Sequence, residues 1–275
     1  YILVEYFIVS EGRMWQQMLD VLCRKADEGV EVLFLYDDVG SLWGLPSRFV
    51  QTLSRNGIQV RPFNPMSGRL TLRVNNRDHR KLLIVDGLVG FTGGLNIADE
   101  YINAKPRFGH WKDTVVRLEG EGVWGMTELF FTLWDLISDQ PTDLAALRPA
   151  YGHSEAPGTV ISFDDTPLDD DSVGWGVYRN MMARARHTVD IMTPYLVPSQ
   201  AMLESIGAVA QSGVRVRLLT PGIPDKHYVY SVTRHNYRPL IEAGVEIYEY
   251  THGFLHAKQL VADDDQAVLG TINFD

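Results

Sequence analysis

The feature that most restricts what this chain can fold into is that it is written twice. Tyr6-Phe7-Ile8-Val9 is an apolar strand segment, and Met14, Met18, Val21 and Leu22 follow at i, i+4, i+7 and i+8, the spacing of one helix face. Gly29 then ends the helix ahead of a buried strand, Val30-Glu31-Val32-Leu33-Phe34-Leu35. The second copy runs the same way. Val189-Asp190-Ile191-Met192 is the strand, Met202, Leu203, Ile206, Val209 and Ala210 form the helix face, and Gly213 precedes the strand Val214–Leu219. Asn56-Gly57-Ile58-Gln59-Val60 matches Ala243-Gly244-Val245-Glu246-Ile247. A strand–helix–strand unit repeated in this order predicts an α/β fold with mainly parallel sheets in two half-domains. The stretch from about Gln140 to Asp171, with Pro141, Pro149, Pro157, Pro167 and the acidic runs Asp164-Asp165 and Asp169-Asp170-Asp171, reads as a linker. The half-domains are therefore expected at 1–150 and 151–275.

Composition narrows the chemistry. With 275 residues, 45% hydrophobic and 22% charged, the chain can bury a core without staples. Its one cysteine, Cys23, excludes an intramolecular disulfide and any cysteine-based metal cluster, and it is expected in the core of the first helix. A net charge of −10 argues against a surface devoted to nucleic acid. No apolar run is long enough for a transmembrane helix, and no signal peptide is visible. The chain opens on Tyr1 in what reads as mid-strand and stops at Asp275, so it is expected to be a fragment, incomplete at its C-terminus.

Both copies converge on one polar pattern. His79-Arg80-Lys81 leads through an apolar strand to Asp86, and Gly93-Gly94-Leu95-Asn96 follows. His256-Ala257-Lys258 leads likewise to Asp263, then Gly270-Thr271-Ile272-Asn273, with the same His-to-Asn spacing. Residues i and i+2 of a strand share a face, so His79 and Lys81 point the same way, as do His256 and Lys258. Asp86 precedes Gly87 and is expected to close a hairpin, whose returning strand brings Asn96 beside the first pair; Asn273 does the same in the second copy. A two-fold pairing of the copies would gather two imidazoles, two ammoniums and two amides around one pocket.

That set suits a phosphodiester. Lysines and asparagines would stabilise charge on the non-bridging oxygens. One histidine can attack phosphorus to form a phosphohistidine, and the other can protonate the leaving alkoxide and then deprotonate the incoming alcohol or water. The two roles need opposite protonation states near neutral pH, which different surroundings can impose. The chemistry requires no metal or other cofactor, and no carboxylate cluster suited to one is evident.

These motifs resemble the HxKxxxxD signature of the phospholipase D superfamily, over nearly the whole chain. The flanks Asn76–Lys81, Phe91–Tyr101, Trp111-Lys112-Asp113-Thr114, Thr193–Pro198 and Gly253–Lys258 are similar to bacterial cardiolipin synthases. The resemblance implies an αβαβα sandwich of two phospholipase D-like half-domains with the active site between them. It implies His79 as the nucleophile and His256 as the general acid, with Lys81 and Lys258 catalytic, Asn96 and Asn273 on the substrate, and Asp86 and Asp263 orienting histidines. It further implies a phosphatidyltransferase that makes cardiolipin from two phosphatidylglycerol molecules and releases glycerol. The rivals are a phospholipase D-type hydrolase and a superfamily nuclease, the latter disfavoured by the chain's acidity. The expected partner is anionic phospholipid at a membrane surface, with no nucleic acid; the parent protein is expected at the bacterial cell membrane, anchored by segments outside this sequence.

Other residues carry weaker expectations. Arg69, Arg73, Arg77, Arg80 and Lys81 form a basic stretch that either faces anionic headgroups or is a solvated loop. Tyr195 and Trp111 line a pocket or, more commonly for such residues, pack inside. Glu100 either orients a histidine or starts a helix. His110, His153, His187, His227, His235 and His252 have no repeated partner and read as structural or surface residues.

Overall fold

The computed structural model describes residues 1–65, 76–152, 156–166 and 172–274. The chain divides into two compact units. The first comprises Tyr1–Thr92, Asn96–Ile102 and Val116–Asp171, and the second Gly93–Leu95, Asn103–Val115 and Ser172–Asp275. The boundary thus falls some twenty residues beyond the expected 150/151, and two short pieces of the first copy are built into the second unit.

In the first unit the elements run β1 (Ile2–Tyr6), α1 (Arg13–Asp27), β2 (Val32–Asp37), α2 (Asp38–Ser41), α3 (Phe49–Arg55), β3 (Gln59–Phe63), β4 (Lys81–Val85), β5 (Val89–Gly93), β6 (Val115–Glu119), α4 (Gly122–Ser138) and α5 (Leu144–Leu147). The sheet order is β3-β2-β1-β4-β5-β6. β1, β2 and β3 are parallel, whereas β4 runs antiparallel to β1 and β5 antiparallel to β4. The alternation of side chains sorts the strands onto two layers. Val4, Tyr6, Phe34 and Tyr36 pack against Trp15 and Leu22 of α1 and Phe49 and Leu53 of α3. Leu3, Leu33, Leu35, Leu82 and Ile84 pack on the other face against Val123, Met126, Phe130 and Trp134 of α4.

The second unit contains α6 (Val173–Arg184), β7 (Thr188–Met192), α7 (Gln200–Gln211), β8 (Arg215–Pro221), α8 (His227–Glu242), β9 (Glu246–Tyr250), β10 (Gln259–Ala262) and β11 (Gln266–Leu269). Its sheet order, β11-β10-β7-β8-β9, reproduces the β5-β4-β1-β2-β3 part of the first sheet, with parallel β7, β8 and β9 and antiparallel β10 and β11, and among the described residues it has no counterpart of β6. Val189, Ile191, Val216, Leu218 and Leu260 face Tyr178, Met182, Met202, Ile206 and Leu240 of the helices. The opposite face carries ion pairs between neighbouring strands, Arg217 with Asp190 and Arg215 with Glu246. Both sheets are therefore mixed, as expected for two pseudo-symmetric α/β half-domains.

Two strands begin slightly later than the apolar runs suggest, β2 at Val32 rather than Val30 and β8 at Arg215 rather than Val214. Gly29, Gly57, Gly213 and Gly244 all take positive φ after a helix, and the chain needs one or two more residues to turn into the sheet. Within α1 the buried residues are Trp15 and Leu22, while Val21 is 43% exposed and Cys23 half-buried. No helix among the described residues is long and apolar enough to cross a membrane.

Candidate active site

Each motif stands where its sheet changes direction. β4 begins beside the end of β1, with Lys81 opposite Tyr6, so His79 lies at the carboxyl ends of the parallel strands. β10 begins beside the end of β7, with Gln259 opposite Met192, and His256 takes the corresponding place. Carboxyl ends at such a switch are where open α/β sheets bind ligands.

In the first unit, the His79 ring meets Phe7 edge-on at 5.0 Å between centroids. Lys81 is 1% exposed, donates from Nζ to the His79 carbonyl at 2.6 Å, and lies 5.3 Å over the Phe7 ring. Asn96 is buried; its Oδ1 accepts from Ile8 N at 3.0 Å and its Nδ2 donates to the Tyr101 hydroxyl at 2.7 Å. The Asn96 amide thus fastens the chain just after β1, next to the Phe7 that touches His79.

The second unit repeats the lysine geometry, with Lys258 Nζ donating to the His256 carbonyl at 2.5 Å. Here the imidazole is gripped on several sides. Trp111 and Phe254 lie 5.2 and 5.8 Å from its centroid. His256 Nδ1 is 2.8 Å from Asp113 Oδ2, and both side chains are less than a tenth exposed. An ionised carboxylate only accepts, so the proton of this bond sits on Nδ1 and leaves Nε2 for chemistry. Burial raises the Asp113 carboxyl, but the hydrogen bond from His256 and the charges of His256 and Lys258 outweigh it and bring it below the usual range. Asn273 is half-buried between Ile272, whose carbonyl accepts from Tyr178, and the buried Phe274.

Backbone pairing explains how Asp113 arrives there. His110 N donates to the His252 carbonyl, Lys112 N to Phe254, and His256 N to Lys112, a short ladder that lays residues 110–112 along 252–256. The glycine pair sits beneath it. A Cβ on Gly94 would come within 2.1 Å of Asp113 Oδ1 and 2.8 Å of the His256 carbonyl, and one on Gly93 within 2.2 Å of the Thr114 carbonyl. Only glycine permits this approach.

Several expectations are corrected. Asp86 and Asp263 do not orient the histidines. Each lies at the far end of its strand, roughly 20 Å along the chain from the motif histidine at 3.3 Å per residue. Both take positive φ in their hairpin turns, Asp86 with Gly87 and Asp263 with Asp264. Asp86 accepts from the Tyr1 nitrogen ahead of β1. Asp263 accepts from the nitrogens of Arg186, His187 and Thr188 ahead of β7, and these bonds hold its carboxyl below the usual range. The motif aspartates therefore pin strand starts, as the hairpin reading of Asp86 implies.

The residue that holds His256 is Asp113 rather than Glu100, which lies in a turn. Asp113 follows Asn96 at an offset that in the second copy lies past residue 275, so a search for paired residues within this sequence passes over it, although the Trp111–Thr114 flank pointed to that segment. Nor are the described members of the basic stretch, Arg77, Arg80 and Lys81, a solvated surface. Arg77 and Arg80 turn inward onto Asp37 and onto Glu5, Asp78 and Asp164, and Lys81 is buried; Arg69 and Arg73 lie outside the described residues, as does His153. Trp111 is packed against Phe254, and Tyr195 donates to Asp225 at 2.7 Å. Among the described residues no group of three or more His, Cys, Asp or Glu side chains is arranged to hold a metal ion.

The fold is shared with a solved phosphatidylserine synthase of Haemophilus influenzae, at a TM-score of 0.65 and 17% identity over 96% of this chain and 70% of that one. The family model described as cardiolipin synthase, PLD-like domain, matches residues 178–275. With its two motifs set at equivalent strand ends, the chain is similar to proteins of the phospholipase D superfamily. Within it, the sequence is similar to bacterial cardiolipin synthases: it is 36% identical over 274 residues to the cardiolipin synthase of Halalkalibacterium halodurans, covering 99% of this chain and 54% of that protein. It is also 43% identical over its full length to an uncharacterised protein of Streptococcus mutans, of which it covers 60%. The chain thus spans little more than half the length of these relatives.

Proposed function

We propose that this chain carries out phosphatidyl transfer: one phosphatidylglycerol is attacked, glycerol leaves, and the phosphatidyl group passes to a second phosphatidylglycerol to give cardiolipin. His79 Nε2 attacks phosphorus, the bond to the glycerol oxygen breaks, and His256 Nε2–H supplies the proton that glycerol carries away. In the second half-reaction His256 accepts a proton from the incoming hydroxyl, whose oxygen displaces His79 from phosphorus. Lys81 and Lys258 hold positive charge toward the non-bridging oxygens, with Asn96 and Asn273 beside them.

The observation that carries this reading is the buried Asp113–His256 bond. It fixes Nδ1 of one histidine on a buried carboxylate and so equips that ring as the proton donor and acceptor that both half-reactions require. The relatives named cardiolipin synthase and phosphatidylserine synthase support phospholipid as the substrate class, and with it work at a bacterial membrane surface.

The test is a product analysis with the full-length protein on phosphatidylglycerol vesicles, with His79→Ala as control. Cardiolipin and glycerol in equal amounts, absent with the variant, are the expected products. Phosphatidic acid alone would make the enzyme a hydrolase, and cleavage of a nucleic-acid diester with no lipid product would make it a nuclease.

A further inference from the structure

The segment that carries His79 is held from beneath by buried charge. Asp78 N donates to Asp37 Oδ2 at 3.0 Å, Arg77 pairs with Asp37, and Asn64 donates to the Asn76 carbonyl. On the other side of His79, Arg80 donates to Glu5 Oε1 at 2.7 Å, to Asp164 Oδ2 at 3.0 Å and to the Leu129 carbonyl at 3.1 Å, while its backbone N–H binds Asp78 Oδ1. Three carboxyl groups, those of Glu5, Asp78 and Asp164, thus surround one guanidinium.

Two oxygens in this cluster have no donor. Glu5 Oε2 and Asp78 Oδ2 are both buried and receive no N–H or O–H, while the other oxygen of each carboxyl group lies against the same Arg80 Nε, at 2.7 and 3.5 Å. Two ionised carboxylates are acceptors only and repel, so a single proton between them satisfies both. We infer that Glu5 and Asp78 share one proton, and that this neutral bridge, closed by Arg80, positions the strand end that presents His79. Glu5 is its holder, being fully buried in the sheet between Leu35 of β2 and Leu82 of β4. Burial pushes the Glu5 carboxyl well above the usual range; Arg80 opposes the rise, and Asp78 adds to it. Among the described residues, Arg80 and Asp78 are the charged groups that face it, with Asp164 paired to Arg80 and Asp37 and Arg77 beyond Asp78, while α4 lends Arg80 the Leu129 carbonyl.

Glu5→Gln tests the bridge, because it puts an N–H where the shared proton lies and keeps an oxygen for Arg80. The folded protein holds the Glu5 proton at a pH where the unfolded chain has lost it, so the parent protein loses stability as pH rises above the ordinary glutamate value of about 4.3. The melting temperature of Glu5→Gln relative to the parent should therefore climb from about pH 5 to about pH 8. A difference that stays flat, or falls, overturns the shared proton.

The positioning role rests on the function proposed above and has its own readout. On phosphatidylglycerol, Glu5→Ala should lower kcat at least about tenfold with KM little changed, and Glu5→Gln should recover most of that loss. Full kcat in Glu5→Ala, or no rescue by glutamine, overturns it. Should the full-length protein turn over no phosphatidylglycerol, the proposed function fails; deuterium uptake across residues 76–80 then decides the anchoring. Uptake faster in Glu5→Ala but not in Glu5→Gln supports it, and equal uptake in all three proteins overturns it.

Discussion

Asp113→Asn isolates what the buried carboxylate does for His256. The amide oxygen can still accept from Nδ1 across the same 2.8 Å, so the ring keeps its place, but the negative charge that favours an imidazolium is gone. Both side chains are almost fully enclosed, so water does little to replace it. A hydrogen bond to a charged group contributes about 1.5–3 kcal/mol, which corresponds to a rate loss of roughly 10- to 100-fold if it is felt in the proton-transfer step. The assay compares two donors in the full-length protein: phosphatidylglycerol, whose glycerol must be protonated to leave, and a phosphatidyl ester of p-nitrophenol, which leaves without help. Release of glycerol should fall by the full factor, and the first burst of p-nitrophenol should fall far less. Equal losses on both substrates would refute the assignment of Asp113 to the acid. The variant's stability carries a second signature. Asp113 is held below the usual carboxyl range, so the stability it lends is present above that range and is lost as pH falls through the folded-state value. The deficit of the asparagine protein should therefore shrink in acid.

Three further outcomes follow from the same geometry. Gly94→Ala drives a methyl into Asp113 Oδ1 and the His256 carbonyl, so its kinetic pattern should match that of Asp113→Asn; near-normal glycerol release would show that Asp113 is not held from below. Asp263→Ala removes the acceptor for three backbone N–H groups, so it should lower the melting temperature while the burst rate per folded molecule is kept. Because its carboxyl is also held low, that penalty should fade as the solution is acidified. Lys258→Met keeps the stem but loses the bond to the His256 carbonyl and a charge near Asp113; turnover should fall by about two orders of magnitude, and a variant within twofold of the parent would remove Lys258 from the site.

Much of the fold is legible in the sequence because its signals are local. Gly29 and Gly213 announce helix ends, the apolar runs after them are strands in the sheet, and the Asp86-Gly87 pair is the hairpin it spells. The antiparallel arrangement of β4 and β10 is less visible, since an apolar strand buried on both faces reads alike in either direction. Phe7–Val9 read as strand because they are apolar. Instead, Ile8 N and Val9 N are taken by the side chains of Asn96 and Ser41, and the chain leaves the sheet to bring Phe7 to His79. At the site, His79, Lys81, His256 and Lys258 declare themselves by repetition. Asp113 does not, because the position that matches it in the second copy lies past residue 275, and it reaches His256 through a backbone ladder across more than a hundred residues of sequence. The basic run from Arg77 to Lys81 misleads for a related reason: charge in a sequence does not show the buried carboxylates of Glu5 and Asp37 that wait for it.

The central claim is that two histidines in equivalent strand ends divide one phosphoryl transfer. Its most direct test is to react the His256→Ala form of the full-length protein with the p-nitrophenyl phosphatidyl ester, quench within the burst, and locate the adduct by mass. The account predicts a phosphatidyl group on His79, accumulating because no base remains to activate the acceptor. An adduct on another residue, or a burst with no adduct, would contradict it.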